Sequence, residues 1–170
     1  MIRQFIVLGL LLPLVGCAAK KPPPLPPFSN AELILEIQKL NLDVTEIPRG
    51  VMVRLPTIFF GFNSADLQPE ARQKVDALSV VLNHPRAVQR KIVIEGHADA
   101  IGTQEYNLKL SQQRAEAVEQ EMIANLIQGG RLRSEGFGET RPIAPNTNPD
   151  GSDNPEGRTQ NRRVEIIIEN

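Results

Sequence analysis

The chain has 170 residues, of which 41% are hydrophobic and 23% charged, and its formal net charge is -1. This length suits one globular domain with appendages and leaves no room for two full domains. The near-neutral charge argues against a nucleic-acid partner, because binding to a phosphate backbone requires a clustered excess of Lys and Arg. With 1 Cys and 2 His, the chain cannot form a disulfide framework or a multi-cysteine zinc site, and we predict no metal and no cofactor.

The N-terminal segment has the pattern of a secretory signal peptide. Arg3 gives it a basic start, and residues 5–15 form an uncharged apolar run that is too short to span a bilayer comfortably. The run ends in Leu14-Val-Gly-Cys17, which resembles the lipobox of bacterial lipoproteins. The resemblance implies removal of residues 1–16, acylation of Cys17 and anchoring in a membrane. Ala18 stands where an Asp would favour inner-membrane retention, which points to the periplasmic face of the outer membrane.

Residues 17–28 follow as a proline-rich segment, in which five of the six residues 22–27 are Pro. Such a sequence cannot form a helix or a sheet and favours extended polyproline II at about 3.1 Å per residue. One interpretation is a ligand for SH3-type domains. In a bacterial lipoprotein, a semi-rigid spacer that does not pack on the globular domain is the better interpretation.

The first predicted element of the globular part is a short amphipathic helix within residues 29–42. Ser29 and Glu32 form a capping-box pattern ahead of apolar residues at helical spacing. Residues 44–47 and 51–55 flank a Pro-Arg-Gly turn and predict a hairpin. Residues 57–60 predict a further strand.

Two longer helices alternate with strands in the rest of the chain. The first helix begins at Pro69, carries an apolar stripe and stops before Pro85; the stripe is Ala71, Val75, Leu78 and Leu82. The second spans about 104–127, with Thr103 as its N-cap and Gly129-Gly130 at its end. We expect its buried stripe to be Leu108, Ala115, Val118 and Met122.

Short apolar runs at 91–95, 132–137 and 164–168 predict the remaining strands. The predicted fold class is therefore α+β. It has two layers, with two main helices on one face of a mixed β-sheet, preceded by the short helix and the hairpin.

The candidate site lies where the strand at 91–95 leads into the second long helix, because ligands bind near carboxyl ends of strands and N-termini of helices in layered folds. Asp99 lies in this connection, and Arg114 lies on the helix. A carboxylate binds an ammonium group and a guanidinium binds a carboxylate, so together they suit a zwitterion such as the α-amino-acid end of a ligand. The spacing alone is equally consistent with an internal Asp99–Arg114 ion pair.

Five motifs occur in order along the chain and together resemble the OmpA-like domain of OmpA C-termini, the Pal lipoproteins and the MotB stator protein. The resemblance covers about residues 43–170 and is closest to Pal. The motifs are Phe59-Phe-Gly-Phe-Asn-Ser-Ala-Asp-Leu67, Gly96-His-Ala-Asp-x-x-Gly-Thr-x-Glu-Tyr-Asn107, Leu110-Ser-x-x-Arg-Ala115, Gly136-Phe-Gly138 and Asn161-Arg-Arg-Val-Glu165.

The resemblance implies non-covalent binding of peptidoglycan through the free amino-acid end of diaminopimelate in the stem peptide. It assigns that zwitterion to Asp99 and Arg114, and it places Asn63, Asn107 and Arg162 along the stem-peptide groove. Gly61 stands where the family commonly has an acidic residue, and the loop 142–160 departs from Pal, so a Tol-type partner does not follow.

Two further motifs resemble metal or catalytic sites but do not predict one. The run Asn146-x-Asn-x-Asp-Gly151 imitates the start of an EF-hand loop but has Gly157 at the twelfth position, which favours a solvated loop. His97 and Asp99 lack a third metal ligand or a nucleophile motif, so we predict no enzyme and expect His97 to hydrogen-bond the strand-to-helix turn.

The sequence is compatible with two functions. One is an outer-membrane lipoprotein that tethers the membrane to the cell wall. The other is a lipoprotein subunit or regulator of an envelope complex in secretion, motility or signalling, which uses the same domain for docking.

Overall fold

The computed structural model describes residues 23–61 and 63–170. The predicted signal peptide and the lipidation site Cys17 lie outside the described residues, as does the start of the spacer. Within the described part of the chain, no helix is both long enough and apolar enough to cross a membrane. In chain order the elements are α1 (Asn30–Gln38), β1 (Asp43–Ile47), β2 (Gly50–Pro56), α2 (Pro69–Leu82), β3 (Ile92–His97), α3 (Gln104–Ala124), β4 (Leu132–Gly136), α4 (Pro155–Asn161) and β5 (Arg163–Glu169).

The strands form one five-stranded mixed sheet in the order β1-β2-β5-β3-β4. Strands β3 and β4 are parallel, and the other neighbouring pairs are antiparallel. The register places Val53, Ile166 and Ile94 in one row across the three central strands, where cross-strand apolar pairs stabilise the sheet. The predicted α+β class and mixed sheet are confirmed.

Helices α1, α2 and α3 cover one face of this sheet, and the hydrophobic core lies between the two layers. The stripe predicted for α2 is entirely buried, and burial of each large apolar side chain stabilises the fold by about 1.5–3 kcal/mol. The predicted capping box is also present, since Ser29 and Glu32 accept hydrogen bonds from each other's backbone N–H groups. The core side chains of the central strands are Val51, Val53, Leu55, Ile92, Ile94, Val164, Ile166 and Ile168.

The prediction of a strand at residues 57–60 is wrong. Thr57–Phe59 form a 3-10 turn instead, and Phe60 makes an isolated bridge to Leu67. The pairing of β2 with β5 ends at Pro56 opposite Arg163, so a longer strand would have no partner on that side.

The details predicted for α3 are also partly wrong. Leu108 is 51% exposed, whereas its neighbours Asn107, Leu110 and Arg114 are buried, because the first turns of α3 extend beyond the core towards a groove. The helix ends at Ala124 rather than at the glycine pair. Leu126 there adopts a left-handed φ of 65°.

The end of the spacer packs on the domain, contrary to our expectation. The backbone N–H of Phe28 donates to the Arg86 carbonyl (2.9 Å), and Arg86 Nε donates to the Pro26 carbonyl (2.8 Å). The Arg86 guanidinium lies 4.3 Å from the Phe28 ring centroid. Arg90 donates to the Phe28 carbonyl at 2.8 Å. Residues 26–28 are thus held at the edge of the domain, next to the start of β3.

Candidate functional site

A groove of about 670 Å³ opens at the end of the sheet where β3 finishes. Four parts of the chain line it: the 3-10 turn after β2, the loop from β3 to α3, the first turns of α3, and α4 with the start of β5. All five residues that the sequence assigns to ligand binding line this groove: Asn63, Asp99, Asn107, Arg114 and Arg162.

Two glycines let α3 lie directly on the strands that lead to the groove. A Cβ atom on Gly96 would lie 2.0 Å from the Ser111 carbonyl oxygen, and one on Gly136 would lie 2.5 Å from the backbone nitrogen of Gln112. Any larger residue would push the helix away from the sheet. The close approach sets α3, and therefore Arg114, against the loop that carries Asp99.

Asp99 is buried and held by its own loop and by two arginines, Arg158 in α4 and Arg162 directly after it. Its Oδ1 accepts a hydrogen bond from the Ile101 backbone N–H (3.0 Å). Its Oδ2 accepts one from Arg162 Nη1 (2.6 Å) and lies 3.6 Å from Arg158 Nε. The carboxylate is thus fixed on the wall shared by the β3–α3 loop and α4.

Arg114 reaches the same groove from α3. It is 5% exposed, its Nε donates to the Ser64 carbonyl (3.0 Å), and its guanidinium lies 5.4 Å from the Phe60 ring centroid. Burial lowers the pKa of Arg114, and the positive charge of Arg162 lowers it further, while Tyr106 and Asp99 oppose that shift. Arginine still carries its charge at neutral pH, so Arg114 is a cation at the groove surface.

The internal ion pair that the spacing allowed does not form. Among the described residues, the ion pairs of Asp99 are with Arg158 and Arg162, and Arg114 binds a backbone carbonyl instead. Asp99 and Arg114 therefore share a groove without neutralising each other.

Asn107 and Asn63 have different positions in the groove. Asn107 is 3% exposed and donates to the Asp99 carbonyl (3.1 Å) and to the Glu139 carboxylate (2.6 Å), so it fixes the loop that carries Asp99. Asn63 lines the groove from the segment after the 3-10 turn, is exposed and has a left-handed φ of 47°.

Sequence reasoning missed Arg158 and the apolar rim. Arg158 lies in α4, and Arg162 follows the end of that helix four residues later. Their spacing, which would put both side chains on one side of a helix, was the available signal. Ile58 and Ile101 line the groove while remaining 77% and 63% exposed, and Tyr106 beside them is 45% exposed. The groove is therefore charged at its base and apolar at its rim.

The expectation for His97 is wrong. Its ring is 1% exposed and stacks on Phe137 with centroids 5.6 Å apart, and neither ring nitrogen has a hydrogen-bond partner among the described residues. Burial, with a contribution from the positive charge of Arg163, lowers the pKa of His97 to about 3. The side chain is therefore neutral and structural at physiological pH.

His97 lies close to the carboxylates of Glu95 and Glu165, so these three could form a set of metal ligands. Arginines already neutralise both carboxylates: Arg49 and Arg141 pair with Glu95, and Arg163 pairs with Glu165. A cation there would meet more positive than negative charge. The cluster is better explained as an internal ion network.

The loop 142–154 is folded onto the start of β5. Asn161 is fully buried, and its Oδ1 accepts hydrogen bonds from the backbone N–H groups of Ile143 (2.8 Å) and Ala144 (3.0 Å). Within the loop, Asp150 accepts hydrogen bonds from the backbone and hydroxyl of Ser152. The polar side chains of the EF-hand-like run therefore form hydrogen bonds within the loop.

Comparison with known proteins places this arrangement in a family. A model described as "OmpA family" matches residues 59–155, more than half of the chain. The chain is 40% identical over 111 residues to the outer membrane protein A of Bordetella avium, covering 65% of this chain and 53% of that protein. It is 36% identical over 112 residues to the peptidoglycan-associated lipoprotein of Pseudomonas putida, covering 66% of this chain and 62% of that protein. The chain thus spans about half to three fifths of these relatives' lengths.

A solved structure shares the fold. The cell wall anchor of the type VI secretion system (T6SS) from Pseudomonas aeruginosa superposes with a TM-score of 0.63 at 28% identity, covering 85% of this chain and 99% of that chain.

Proposed function

The chain belongs to the OmpA family, and on that basis we propose that it binds peptidoglycan non-covalently and tethers the bacterial outer membrane to the cell wall. The observation that carries this proposal is the joint presence of Asp99 and Arg114 in one groove of about 670 Å³, with no ion pair between them. A groove that holds a carboxylate and a separate guanidinium suits a zwitterionic ligand.

The ligand we propose is the free amino-acid end of diaminopimelate in the stem peptide. Its ammonium group would bind Asp99, whose two carboxylate oxygens accept more hydrogen bonds than the protein supplies. Its carboxylate would bind the guanidinium of Arg114, and its methylene chain would lie against the apolar rim of Ile58 and Ile101. Each part of the ligand would then meet a surface of matching chemistry.

The charged side chains of the groove favour binding over catalysis. They are one carboxylate and three guanidiniums, from Asp99, Arg114, Arg158 and Arg162. Guanidiniums remain protonated at neutral pH and do not serve as general bases. We therefore propose a binding protein and not an enzyme.

The position of the spacer supports a tether. Its last residues, 26–28, are held beside Arg90 at the start of β3, whereas the groove opens after the end of β3. The six residues of β3 separate the two points by about 20 Å. If Cys17 carries a lipid anchor in the outer membrane, as its lipobox predicts, the groove faces away from that membrane and towards the wall.

A second candidate is a subunit or regulator of an envelope complex that uses the same domain for docking. The similarity to the T6SS cell wall anchor favours it, since it extends over 85% of this chain. In that case, wall binding would hold a partner protein in place. Crosslinking in intact cells, followed by identification of the adducts, would separate a free tether from a subunit.

Sedimentation of the purified protein with isolated cell wall tests the proposed function. We expect co-sedimentation with walls that contain diaminopimelate and weak retention by walls that contain lysine, which lacks the second carboxylate. No soluble fragments should be released during the incubation. Equal binding to both walls would contradict recognition of the diaminopimelate end, and release of fragments would contradict a purely binding role.

A further inference from the structure

The end of the domain opposite the groove carries an exposed apolar turn. Helix α3 runs from the groove to this end, and we call its last residues and the segment after it, 123–130, the terminal turn. The whole stretch 122–130 is uncharged. Leu126 is 83% exposed and Ile123 39%, and Val80 on the neighbouring α2 is 73% exposed. Single exposed apolar residues are ordinary, whereas a cluster of them marks an interaction surface.

Val80 belongs to this cluster because α2 and α3 are joined at this end. Asn83 Nδ2 donates to the Asn125 carbonyl (2.9 Å), and Asn125 Nδ2 donates to Asp76 Oδ1 (2.7 Å). The spacing of Asp76, Val80 and Asn83 puts them on one side of α2. Val80 therefore lies beside the terminal turn.

The folding of the terminal turn does not require an apolar side chain at Leu126. The backbone N–H groups of Leu126 and Ile127 donate to the carbonyls of Ile123 and Met122, each at 3.0 Å, which is the Schellman ending of a helix. Glycine usually occupies the left-handed position of this ending, and here Leu126 occupies it with a φ of 65°. The apolar contact of the motif comes from Ile127 and Met122, which are both buried. Packing within the domain thus does not account for the leucine.

Exposed cations border the terminal turn. Lys91 Nζ donates to the Gly130 carbonyl (2.9 Å), and within the described part of the chain Lys91 forms no ion pair. Arg133 lines the same hollow of about 330 Å³ as Lys91 and Gly130. Its side chain is 64% exposed and lies 3.7 Å from the exposed Glu135 carboxylate, an ion pair that water screens. This edge of the turn therefore suits anionic groups.

The spacer joins the domain at the same end. The Phe28 ring lies 5.0 Å from the ring of His84, which follows Asn83. If Cys17 is acylated, residues 18–25 connect the lipid to the part of the spacer that the domain holds, and eight residues reach at most about 29 Å. The terminal turn then stays near the bilayer at a high effective concentration, so a weak contact is sufficient.

We propose that the terminal turn, with Val80, is a surface that contacts the phospholipid bilayer holding the anchor. Leu126 enters the headgroup region, where an apolar side chain loses contact with water, and Lys91 and Arg133 lie against lipid phosphates. The inference rests on the predicted acylation of Cys17 and not on the groove. Contact at this end holds the groove facing away from the membrane.

Tryptophan fluorescence tests this surface, since the chain contains no Trp. The acylated full-length protein with Leu126→Trp is reconstituted into vesicles of phosphatidylethanolamine and phosphatidylglycerol, with or without lipids brominated in their acyl chains. We expect its emission to shift to shorter wavelength and to be quenched by the brominated lipids. Leu108→Trp is the matched control, because Leu108 is 51% exposed on the same helix but lies about 27 Å away towards the groove. Its emission should be neither shifted nor quenched.

Two further variants test the parts of the argument. Adding Lys91→Gln to Leu126→Trp should lower the ratio of membrane-contacting to free domain about fivefold, the effect of one cation near an anionic surface. Lys109→Gln removes the same charge from an exposed residue in the first turns of α3 and should leave the quenching unchanged. Leu126→Gly alone should keep or raise Tm, because glycine is favoured at that position. A lower Tm would show that Leu126 serves folding and would overturn the inference.

The fluorescence results that contradict the surface are distinct from one another. Equal quenching at both Trp positions would mean that no particular end of the domain contacts lipid. A shift without quenching in Leu126→Trp would place the turn against protein, such as a second copy. A bound, acylated protein with neither effect would show that the turn stays in water, and an unacylated N-terminus would overturn the anchor and the surface together. Sedimentation with cell wall should be the same for all these variants, so a failure of the proposed function would be seen separately.

Discussion

Asp99 accepts a 2.6 Å hydrogen bond from Arg162, 63 residues later in the chain, and does not pair with Arg114 in the same groove. The contact joins the loop after β3 to the start of β5. It holds one charge of the site in place and leaves Arg114, whose Nε binds the Ser64 carbonyl, available to a ligand. Binding residues positioned before the ligand arrives lose less entropy when it binds.

The lipid anchor can be tested at Cys17. Replacement by Ser should abolish acylation and release the protein from membranes, since one thiol carries the predicted attachment. Mass spectrometry of the mature N-terminus should show an acylated chain that begins at residue 17. An unmodified chain that begins elsewhere would contradict the anchor.

The contact between the spacer and the domain predicts different effects from two changes. Arg86→Ala removes the hydrogen bond to the Pro26 carbonyl and the contact with the Phe28 ring, together with the ion pair to Glu32 at 2.8 Å. We expect a loss of about 1–2 kcal/mol, or a few degrees in Tm. Replacing residues 23–25 by Gly and Ser should leave Tm unchanged. A calorimetric scan in which both variants melt like the unchanged protein would show that this contact does not stabilise the domain.

The close approach of α3 to β3 can be tested at Gly96. Its replacement by Ala would place a Cβ atom 2.0 Å from the Ser111 carbonyl oxygen, and overpacking of this kind costs about 1–3 kcal/mol or more. Gly130→Ala is the matched control, because its Cβ atom would meet nothing within 4 Å. Urea unfolding should show a destabilised first variant and a nearly unchanged second one. Equal stabilities would contradict the packing described here.

The buried His97 predicts how stability depends on pH. Its folded-state pKa of about 3 lies below the ordinary value of 6.5, so between these pH values the unfolded chain binds a proton that the folded chain does not. The free energy of unfolding should therefore fall as pH decreases from 6.5 towards 3, by up to about 1.4 kcal/mol per pH unit. Well above pH 6.5, where the unfolded chain no longer binds the proton, this residue should contribute no pH dependence.

Urea unfolding at pH 6.5 and pH 4.5 measures this effect, with His97→Phe as the comparison, because that variant keeps a ring against Phe137 and cannot titrate. The unchanged protein should lose about 2 kcal/mol more than the variant over this interval. Identical losses would mean that His97 is protonated in the folded state or accessible to water.

The sequence predicted those elements whose periodicity or end signals are local. The stripe of α2, the capping box at Ser29 and the apolar strands β3 and β5 all have such signals, and the structure confirms them. The segment 57–60 looks like a strand by composition, yet it has no partner beyond Pro56. Strand formation depends on a neighbour, which composition does not reveal.

In the site, too, local signals identified some residues, whereas residues that depend on distant segments were missed. Asp99 and Arg114 were predicted from their chemistry and from family motifs, and they do lie in one groove. Arg158 was missed because it reaches the groove only when the loop 142–154 folds back onto the buried Asn161. The position of His97 was missed because its surroundings come from β5 and from Phe137, which are distant in sequence.

In the proposed mode of binding, Asp99 and Arg114 jointly hold a zwitterion. Calorimetric titration of the diaminopimelate tetrapeptide into the unchanged protein, Asp99→Asn and Arg114→Gln tests this mode of binding. Loss of one partner of a desolvated charge pair costs about 2–5 kcal/mol, so each variant should bind roughly 30-fold more weakly or worse. Both variants should remain folded, because the core residues Val75 and Val118 are untouched.

Because the two residues act on one ligand, the double variant should lose less than the sum of the single losses. Amidation of the free diaminopimelate carboxyl should weaken binding to the unchanged protein and have little further effect on Arg114→Gln. Undiminished binding by a folded Asp99→Asn or Arg114→Gln variant would contradict the zwitterion site.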